Sequence, residues 1–121
     1  MAFSDPQSIT INAVALSLAR VAQDPQGTFV TSDGLVGEVI GQANSGKDRF
    51  RRVLRLNHSK VAANPFDSSL NALYNMSVYV VVDVPRVGYT VTEQKQVTDG
   101  FMTYLTASSG AKMLQLLGGE K

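Results

Sequence analysis

The chain has 121 residues, of which 44% are hydrophobic and 17% charged, a composition typical of one globular domain and unlike that of disordered chains. It contains no cysteine, which excludes disulfide frameworks, zinc–thiolate sites and thiol nucleophiles. The formal net charge is +1, but the segment from Lys47 to Lys60 alone carries net +5, which leaves about −4 for the rest. A cationic stripe on an otherwise acidic chain indicates a polyanionic partner.

The hydrophobic pattern predicts strands over most of the first two thirds of the chain, although the alanines near its start would also suit a helix. The parity of the alternation slips at Asn12–Ala13, which indicates a bulge or a tight turn. Turn sequences stand at 24–27, 32–34 and 44–47. The predicted strands are Ser8–Ile11, Val14–Arg20, Thr28–Thr31, Leu35–Ala43, Arg49–Asn57 and Leu73–Val84.

Between the last two strands, residues 60–71 predict a long irregular connection, which in so small a domain is usually functional. After Val84 the period changes to that of a helix. Thr90 and Glu93 form a capping box, so a helix is predicted from about Val91 to Ala107, and a second one from Ala111 to Leu117 after the interruption Ser108-Ser109-Gly110. Strands first and helices last indicate an α+β fold with an antiparallel sheet and two C-terminal α-helices in one domain, residues 1–121.

These helices cover the predicted sheet only thinly. At about 1.5 Å per residue the first helix spans about 26 Å, so the helices of one chain cover one face of a sheet of about six strands only incompletely. The apolar side chains of the second helix then lack partners. A homodimer in which each helix pair crosses onto the partner's sheet removes this deficit, with an ordinary monomer as the alternative.

Residues 41–48 come close to the phosphate-binding loop of nucleotide hydrolases. Asp48 stands where a Ser or Thr should hold magnesium, and the next segment alternates as a strand, so no helix N-terminus faces a phosphate. His58, the only histidine, has no partners at metal-ligand spacing, and Asp83 has no second carboxylate placed to work with it. No run approaches the roughly 18 apolar residues of a membrane span. We therefore expect no enzymatic activity, cofactor, metal site, small-molecule substrate or membrane partner.

The cationic strand predicts a binding face. Alternation puts Arg49, Arg51, Arg55 and Asn57 on one side of their strand, and Asn75, Ser77 and Tyr79 share a side of the last one. If the two strands are neighbours, these side chains form an open platform of guanidinium, amide, hydroxyl and aromatic groups. Cations bind phosphates, while Tyr and Asn stack on and read unpaired bases, so the platform predicts binding of single-stranded RNA.

The stretch LYNMSVYVVVDVP (73–85), followed by VGYT (87–90) and by a helix that ends in LLGGE (116–120), resembles the coat proteins of the single-stranded RNA bacteriophages, of levivirus type. The resemblance covers nearly the whole chain and rests on element order, length and these stretches together. It implies an interlocked homodimer with a continuous ten-stranded sheet and an icosahedral shell whose sheet faces the genomic RNA. It also implies a virion assembled in the bacterial host cytoplasm, and a role as translational repressor through an RNA hairpin.

The resemblance also assigns residues. Arg51, Val53 and Arg55 match positions of the family's RNA-facing strand, and Asn75 matches an RNA-facing asparagine of the last strand. Leu73 stands where the best-known members have an RNA-stacking tyrosine, for which Tyr79 on the same side is a candidate substitute. The connection between the last two strands corresponds to the loop that contacts neighbouring dimers, and here contains Ala63, Asn64, Pro65, Phe66 and Asp67. The alternative function is a small dimeric RNA-binding regulator that forms no shell.

Overall fold

The computed structural model describes residues 3–22, 26–44, 48–66 and 69–121. The chain divides into two compact units, a sheet unit that ends at Val84 and a helical unit that begins at Pro85. In the sheet, every strand neighbours the next one along the chain. The elements are β1 (Gln7–Ile11), β2 (Val14–Ala22), β3 (Gly27–Val30), β4 (Val36–Asn44), β5 (Arg49–Ala63), β6 (Asn71–Pro85) and α1 (Val91–Leu117).

The parity slip in the sequence is a tight turn between β1 and β2. Asn12 and Ala13 both have positive φ, 51° and 63°, a combination typical of hairpin turns whose twist matches that of the flanking strands. Ile9 lies opposite Leu16 across this hairpin. β2 then changes partner, because its first half pairs with β1 and residues 19–22 pair with β3.

A side-chain network closes the turn between β3 and β4. The Asp33 carboxylate accepts hydrogen bonds from the Thr31 hydroxyl (2.5 Å) and from the Leu35 backbone N–H (2.9 Å). Both bonds stabilise the ionised form and so lower the pKa of Asp33 from its usual value. Gly34 has a φ of 75°, a left-handed conformation that glycine adopts without strain.

The antiparallel register determines which side chains share a face. Phe29 lies opposite Arg20 on β2 and Glu38 on β4, and Glu38 lies opposite Leu56 on β5. This side, which we call the apolar face, carries the core of the sheet unit. Leu18, Phe29 and Val36 are buried there, with Ile9, Ile11, Leu16 and Leu56 packed against them. The β1–β2 hairpin therefore covers part of the apolar face.

The connection between β5 and β6 is shorter than the sequence predicted. β5 continues to Ala63 and β6 begins at Asn71, so the prediction of irregular structure from residue 60 is wrong. The backbone N–H of Asn64 donates to the Leu70 carbonyl (2.8 Å) and holds the two strand ends together, so that extended structure continues up to the connection. The central residues of two predicted turns, 24–25 and 45–47, lie outside the described residues.

The helical unit begins with the predicted capping box. The Thr90 hydroxyl accepts a hydrogen bond from the Glu93 backbone N–H (3.2 Å), while the Glu93 carboxylate accepts one from the Thr90 N–H (3.4 Å). Residues 107–110 have non-helical torsions, and Ser108 and Ser109 have φ of 54° and 59°. The helical element is thus interrupted by a kink at the predicted residues, with helical structure on both sides of it. No residue of α1 is buried.

Candidate functional site

The odd-numbered side chains of β5 lie opposite small or apolar residues of β4. Arg51 pairs with Ala43, Val53 with Gly41, and Asn57 with Gly37. These residues are on the side of the sheet opposite Glu38 and Leu56, because side chains alternate along a strand. We call this side the polar face. Short side chains on β4 leave room beside the long cationic side chains of β5.

Four of the predicted site residues form one contact cluster across β5 and β6. Arg55 Nε donates to Asn57 Oδ1 (2.7 Å), and Arg55 Nη2 donates to Ser77 Oγ (3.2 Å). The Ser77 hydroxyl donates in turn to Asn57 Oδ1 (2.9 Å). The guanidinium carbon of Arg55 lies 4.7 Å from the centre of the Tyr79 ring, within range of a cation–π interaction. The structure therefore confirms that these side chains share a face of two neighbouring strands.

An acid that the sequence prediction left out of the site also lies on the polar face. Arg49 Nε is 2.8 Å from Asp83 Oδ1, and Arg49 Nη2 donates to the Asp83 carbonyl (3.4 Å). Asp83 has the same parity on β6 as Ser77 and Tyr79, so alternation alone would have found it. Its carboxylate compensates one of the three arginines that β5 places on this face.

The remaining predicted residues of the polar face are not held by such contacts. Arg51 and Asn75 are exposed, and Val53 is half-buried. In the part of the chain that the structure describes, no hydrogen bond or ion pair fixes the Arg51 or Asn75 side chain. Both are free to turn toward a ligand.

Not every cation of the net +5 segment belongs to the polar face. Arg52 has the opposite parity, donates from Nε to Gln42 Oε1 (3.1 Å), and lies with its guanidinium carbon 5.3 Å from the centre of the Phe50 ring. Lys60 shares the parity of Arg52, and Lys47 lies outside the described residues. The alternation had already assigned Arg52 to the side away from Arg49, Arg51 and Arg55.

The connection after β5 exposes an aromatic ring. Ala63 is the last residue of β5, and the Asn64 side chain accepts a hydrogen bond from the Phe66 backbone N–H (2.8 Å). The Phe66 side chain is 98% exposed, and Pro65 is exposed beside it. Asp67, the last residue predicted for this loop, lies outside the described residues.

The described residues give little support to a metal site, a nucleotide-binding loop or a membrane span. No group of three or more His, Asp or Glu side chains within those ranges is arranged to hold a metal ion. β4 is followed by the antiparallel strand β5, so the degenerate phosphate loop has no helix behind it. No helix of the described chain is long and apolar enough to cross a bilayer.

Solved structures share this arrangement of elements. A virus-like particle of bacteriophage AVE019 matches with a TM-score of 0.74 and 11% identity, over 87% of this chain and 88% of its own. A virus-like particle of Beihai levi-like virus 21 matches with a TM-score of 0.74 and 12% identity, over 96% and 94%. The chain has the levi-like phage coat-protein fold. The bacteriophage EMS014 coat protein has this coat-protein fold too, with a TM-score of 0.67 and 11% identity over 91% of this chain and 80% of its own.

At the level of the fold, the resemblance noted in the sequence is therefore confirmed. Neither a protein-family model nor a curated protein sequence matches the chain. The coat-protein fold is thus recognisable here from three-dimensional structure and from short stretches of sequence.

Proposed function

We propose that the chain is a structural capsid protein, a single domain of residues 1–121 that dimerises, assembles into an icosahedral shell and packages single-stranded RNA. One observation carries the proposal: coat-protein folds from virus-like particles match almost the whole chain. The protein is then part of a virion, assembled in the cytoplasm of a bacterial host. It is not an enzyme, and it needs no cofactor.

The apolar surface of the chain supports a homodimer. β6 is the last strand of the sheet and so has a free edge, and its even-numbered side chains Met76 and Val78 are 52% and 47% exposed. On α1, Phe101 is 57% and Leu114 is 67% exposed. Apolar surface of this extent normally lies in an interface. Pairing of two β6 edges, with both helical units interlocked over the joined sheet, covers it.

The polar face supports RNA binding. Arg49, Arg51 and Arg55 supply positive charge for phosphates, and the ring of Tyr79 with the guanidinium of Arg55 offers a surface on which an unpaired base stacks. Asn75 supplies an amide for base edges. We extend this proposal to an RNA hairpin, whose binding at the same face would repress translation.

The exposed ring of Phe66 supports contacts between dimers. An almost fully exposed aromatic side chain at the tip of a connection contributes apolar area only when it packs against another subunit. The residues proposed for this contact are Ala63, Asn64, Pro65, Phe66 and Asp67.

Expression of the chain alone in bacteria tests the proposal. We expect uniform particles that pellet in ultracentrifugation, appear as closed shells in negative-stain micrographs and contain host RNA protected from ribonuclease. A stable monomer in size-exclusion chromatography would refute the capsid role. Dimers that bind RNA without forming particles would identify the chain as the regulator, and a variant with residues 63–69 shortened would then keep its full RNA affinity.

A further inference from the structure

Three hydrogen bonds on the polar face fix the orientation of the Asn57 amide. An arginine nitrogen only donates, so the Asn57 atom that lies 2.7 Å from Arg55 Nε is the amide oxygen. The Ser77 hydroxyl oxygen accepts from Arg55 Nη2 (3.2 Å) and gives its own proton to Asn57 Oδ1 (2.9 Å). The donor and the acceptor of each bond are thus determined by the chemistry of the groups, and the amide nitrogen of Asn57 points away from them.

This arrangement uses the amide oxygen completely and leaves donors over. Asn57 Oδ1 has two lone pairs, which Arg55 Nε and Ser77 Oγ occupy. In the described part of the chain, no hydrogen bond engages Asn57 Nδ2 or Arg55 Nη1. Neither nitrogen is both buried and unbonded, so their N–H groups are open to solvent. The edge that Asn57 and Arg55 present to a ligand therefore consists of hydrogen-bond donors.

A stacking surface lies beside these donors. The guanidinium carbon of Arg55 is 4.7 Å from the centre of the Tyr79 ring, and Tyr79 is 53% exposed. On β4, Gly37 lies opposite Asn57, so the residue facing the amide across the two strands has no side chain to cover it. A flat ligand that stacks at Tyr79 can thus bring one edge toward the donors.

The four bases differ in the edge that they offer to two donors. Guanine carries two adjacent acceptors, O6 and N7, whereas adenine carries an amino donor in place of O6. In uracil, the N3–H donor separates the two carbonyl oxygens. Cytosine offers N3 and O2 as adjacent acceptors, but its single ring stacks over a smaller area than a purine does. An edge of donors beside an aromatic ring therefore suits guanine best.

We propose that the polar face contains a guanine-selective subsite. An unpaired guanine stacks at Tyr79, and its O6 and N7 accept hydrogen bonds from Asn57 Nδ2 and Arg55 Nη1. The remaining N–H groups of Arg55 stay available to a phosphate. This inference rests on the proposed RNA binding and deepens it, because it names the base that the face selects and the atoms that select it.

Fluorescence anisotropy with the purified protein measures this selection. The probes are short labelled oligouridines in which one central position carries guanosine, adenosine, cytidine, inosine or 7-deazaguanosine. We expect the guanosine probe to bind about tenfold more tightly than the adenosine probe. Inosine, which keeps O6 and N7 but lacks the 2-amino group, should bind like guanosine. The 7-deazaguanosine probe lacks the N7 acceptor and should lose most of the preference.

Asn57→Asp changes the outward donor into an acceptor. One carboxylate oxygen still accepts from Arg55 and Ser77, but the other faces the base, so the preference for guanosine over adenosine should disappear. Val81→Asp is the matched control, because Val81 shares the parity of Tyr79 on β6 and is 43% exposed. It adds the same charge to the polar face and should weaken all probes equally. The nucleotide analogues are tested on the natural chain, so they decide the question even if Asn57→Asp fails to fold.

Four outcomes would overturn the inference while leaving RNA binding intact. These are equal affinity for guanosine and adenosine, undiminished binding of 7-deazaguanosine, cytidine that binds as tightly as guanosine, and a guanosine preference that survives Asn57→Asp. A chain that binds none of the probes would instead refute the proposed RNA binding.

Discussion

Arg49 and Asp83 form an ion pair across β5 and β6, with Arg49 Nε 2.8 Å from Asp83 Oδ1 and both side chains about half exposed, at 49% and 48%. The pair links the start of one long strand to the end of the next. It also places a negative charge on the face for which we propose RNA binding, where a phosphate has to compete with Asp83 for the Arg49 guanidinium. Because exposed ion pairs are weak, we expect a phosphate to displace Asp83 from the Arg49 guanidinium.

Asp83→Asn should increase RNA affinity. The substitution frees Arg49 for phosphate and removes one repulsive charge, so the slope of log affinity against log salt should steepen by about 0.7 to 1. Filter binding to a single-stranded RNA at several salt concentrations measures this slope. Asp99→Asn, which removes the same charge from the Lys95 pair on α1, is the matched control. An equal slope for Asp83→Asn and the natural chain would exclude Arg49 from phosphate binding.

Arg51→Ala and Arg55→Ala should each reduce the salt dependence of RNA binding by about one counterion. Both guanidinium groups belong to the polar face. With each phosphate contact that is lost, one counterion fewer is released from the RNA when the protein binds. Arg52→Ala is the control, because its side chain lies on the other side of the same strand beside Gln42. If Arg52→Ala lowers the slope as much as Arg51→Ala does, the polar face is not the RNA-binding surface.

Asn75→Ala should alter the sequence preference for RNA more than the overall affinity. An amide reads base edges but contributes no charge, so affinity for different sequences should converge without a change in salt slope. Competition binding with a randomised RNA pool measures the preference, with Asn71→Ala at the start of β6 as the control. A uniform loss of affinity for all sequences would contradict a reading role for Asn75.

Phe29→Ala and Phe66→Ala should separate folding from assembly. Phe29 is 0% exposed at the centre of the core, so its truncation should lower the free energy of unfolding by about 3 to 5 kcal/mol. Phe66 is 98% exposed, so its truncation should change the unfolding free energy of dimers by less than about 0.5 kcal/mol while reducing the yield of particles. Chemical denaturation and ultracentrifugation measure the two effects. Normal particle yield from Phe66→Ala would exclude this loop as a contact between dimers.

Asp33→Ala should make the fold less stable at neutral pH, and the difference from the natural chain should shrink in acid. The pKa of Asp33 is lowered from 3.8 by its bonds to Thr31 and Leu35. Ionised Asp33 stabilises the fold fully at pH values above the pKa that it has in the unfolded chain. This stabilisation is lost as pH falls through the lower pKa that it has in the folded chain. Thermal unfolding between about pH 2 and pH 7 measures the difference. A difference that stays constant over this range would show that the Asp33 charge plays no part.

The sequence predicted the two long strands and their faces well, for a physical reason. Arg49, Arg51, Arg55 and Asn57 are separated by even numbers of positions, and side chains on an extended chain alternate between faces, so their spacing alone places them on one side. The capping box at Thr90 is likewise a local signal, since both hydrogen bonds join residues three apart. Local periodicity and local bonding are the properties that a single sequence displays.

Features that depend on pairing between strands were not predictable in the same way. β5 extends to Ala63 because β6 runs beside it, and nothing in the sequence of residues 60–63 alone marks that end. The ion pair of Arg49 with Asp83 joins residues 34 positions apart, and the burial of Glu38, which is 6% exposed, follows from the positions of Phe29 and Leu56 on the neighbouring strands. Register between strands, which fixes all three, is a property of the fold.

The break in α1 also bears on how the proposed shell would obtain its curvature. Residues 107–110 redirect the chain between Thr106 and Ala111 through backbone torsions, three of them left-handed, and the Lys112 ammonium lies 5.7 Å from the centre of the Tyr104 ring across this bend. If every subunit repeats this bend, a deviation of a few degrees is multiplied around the particle. Replacement of Ser108-Ser109-Gly110 by alanines, which favour a continuous rod, would then change the diameter at which the shell closes.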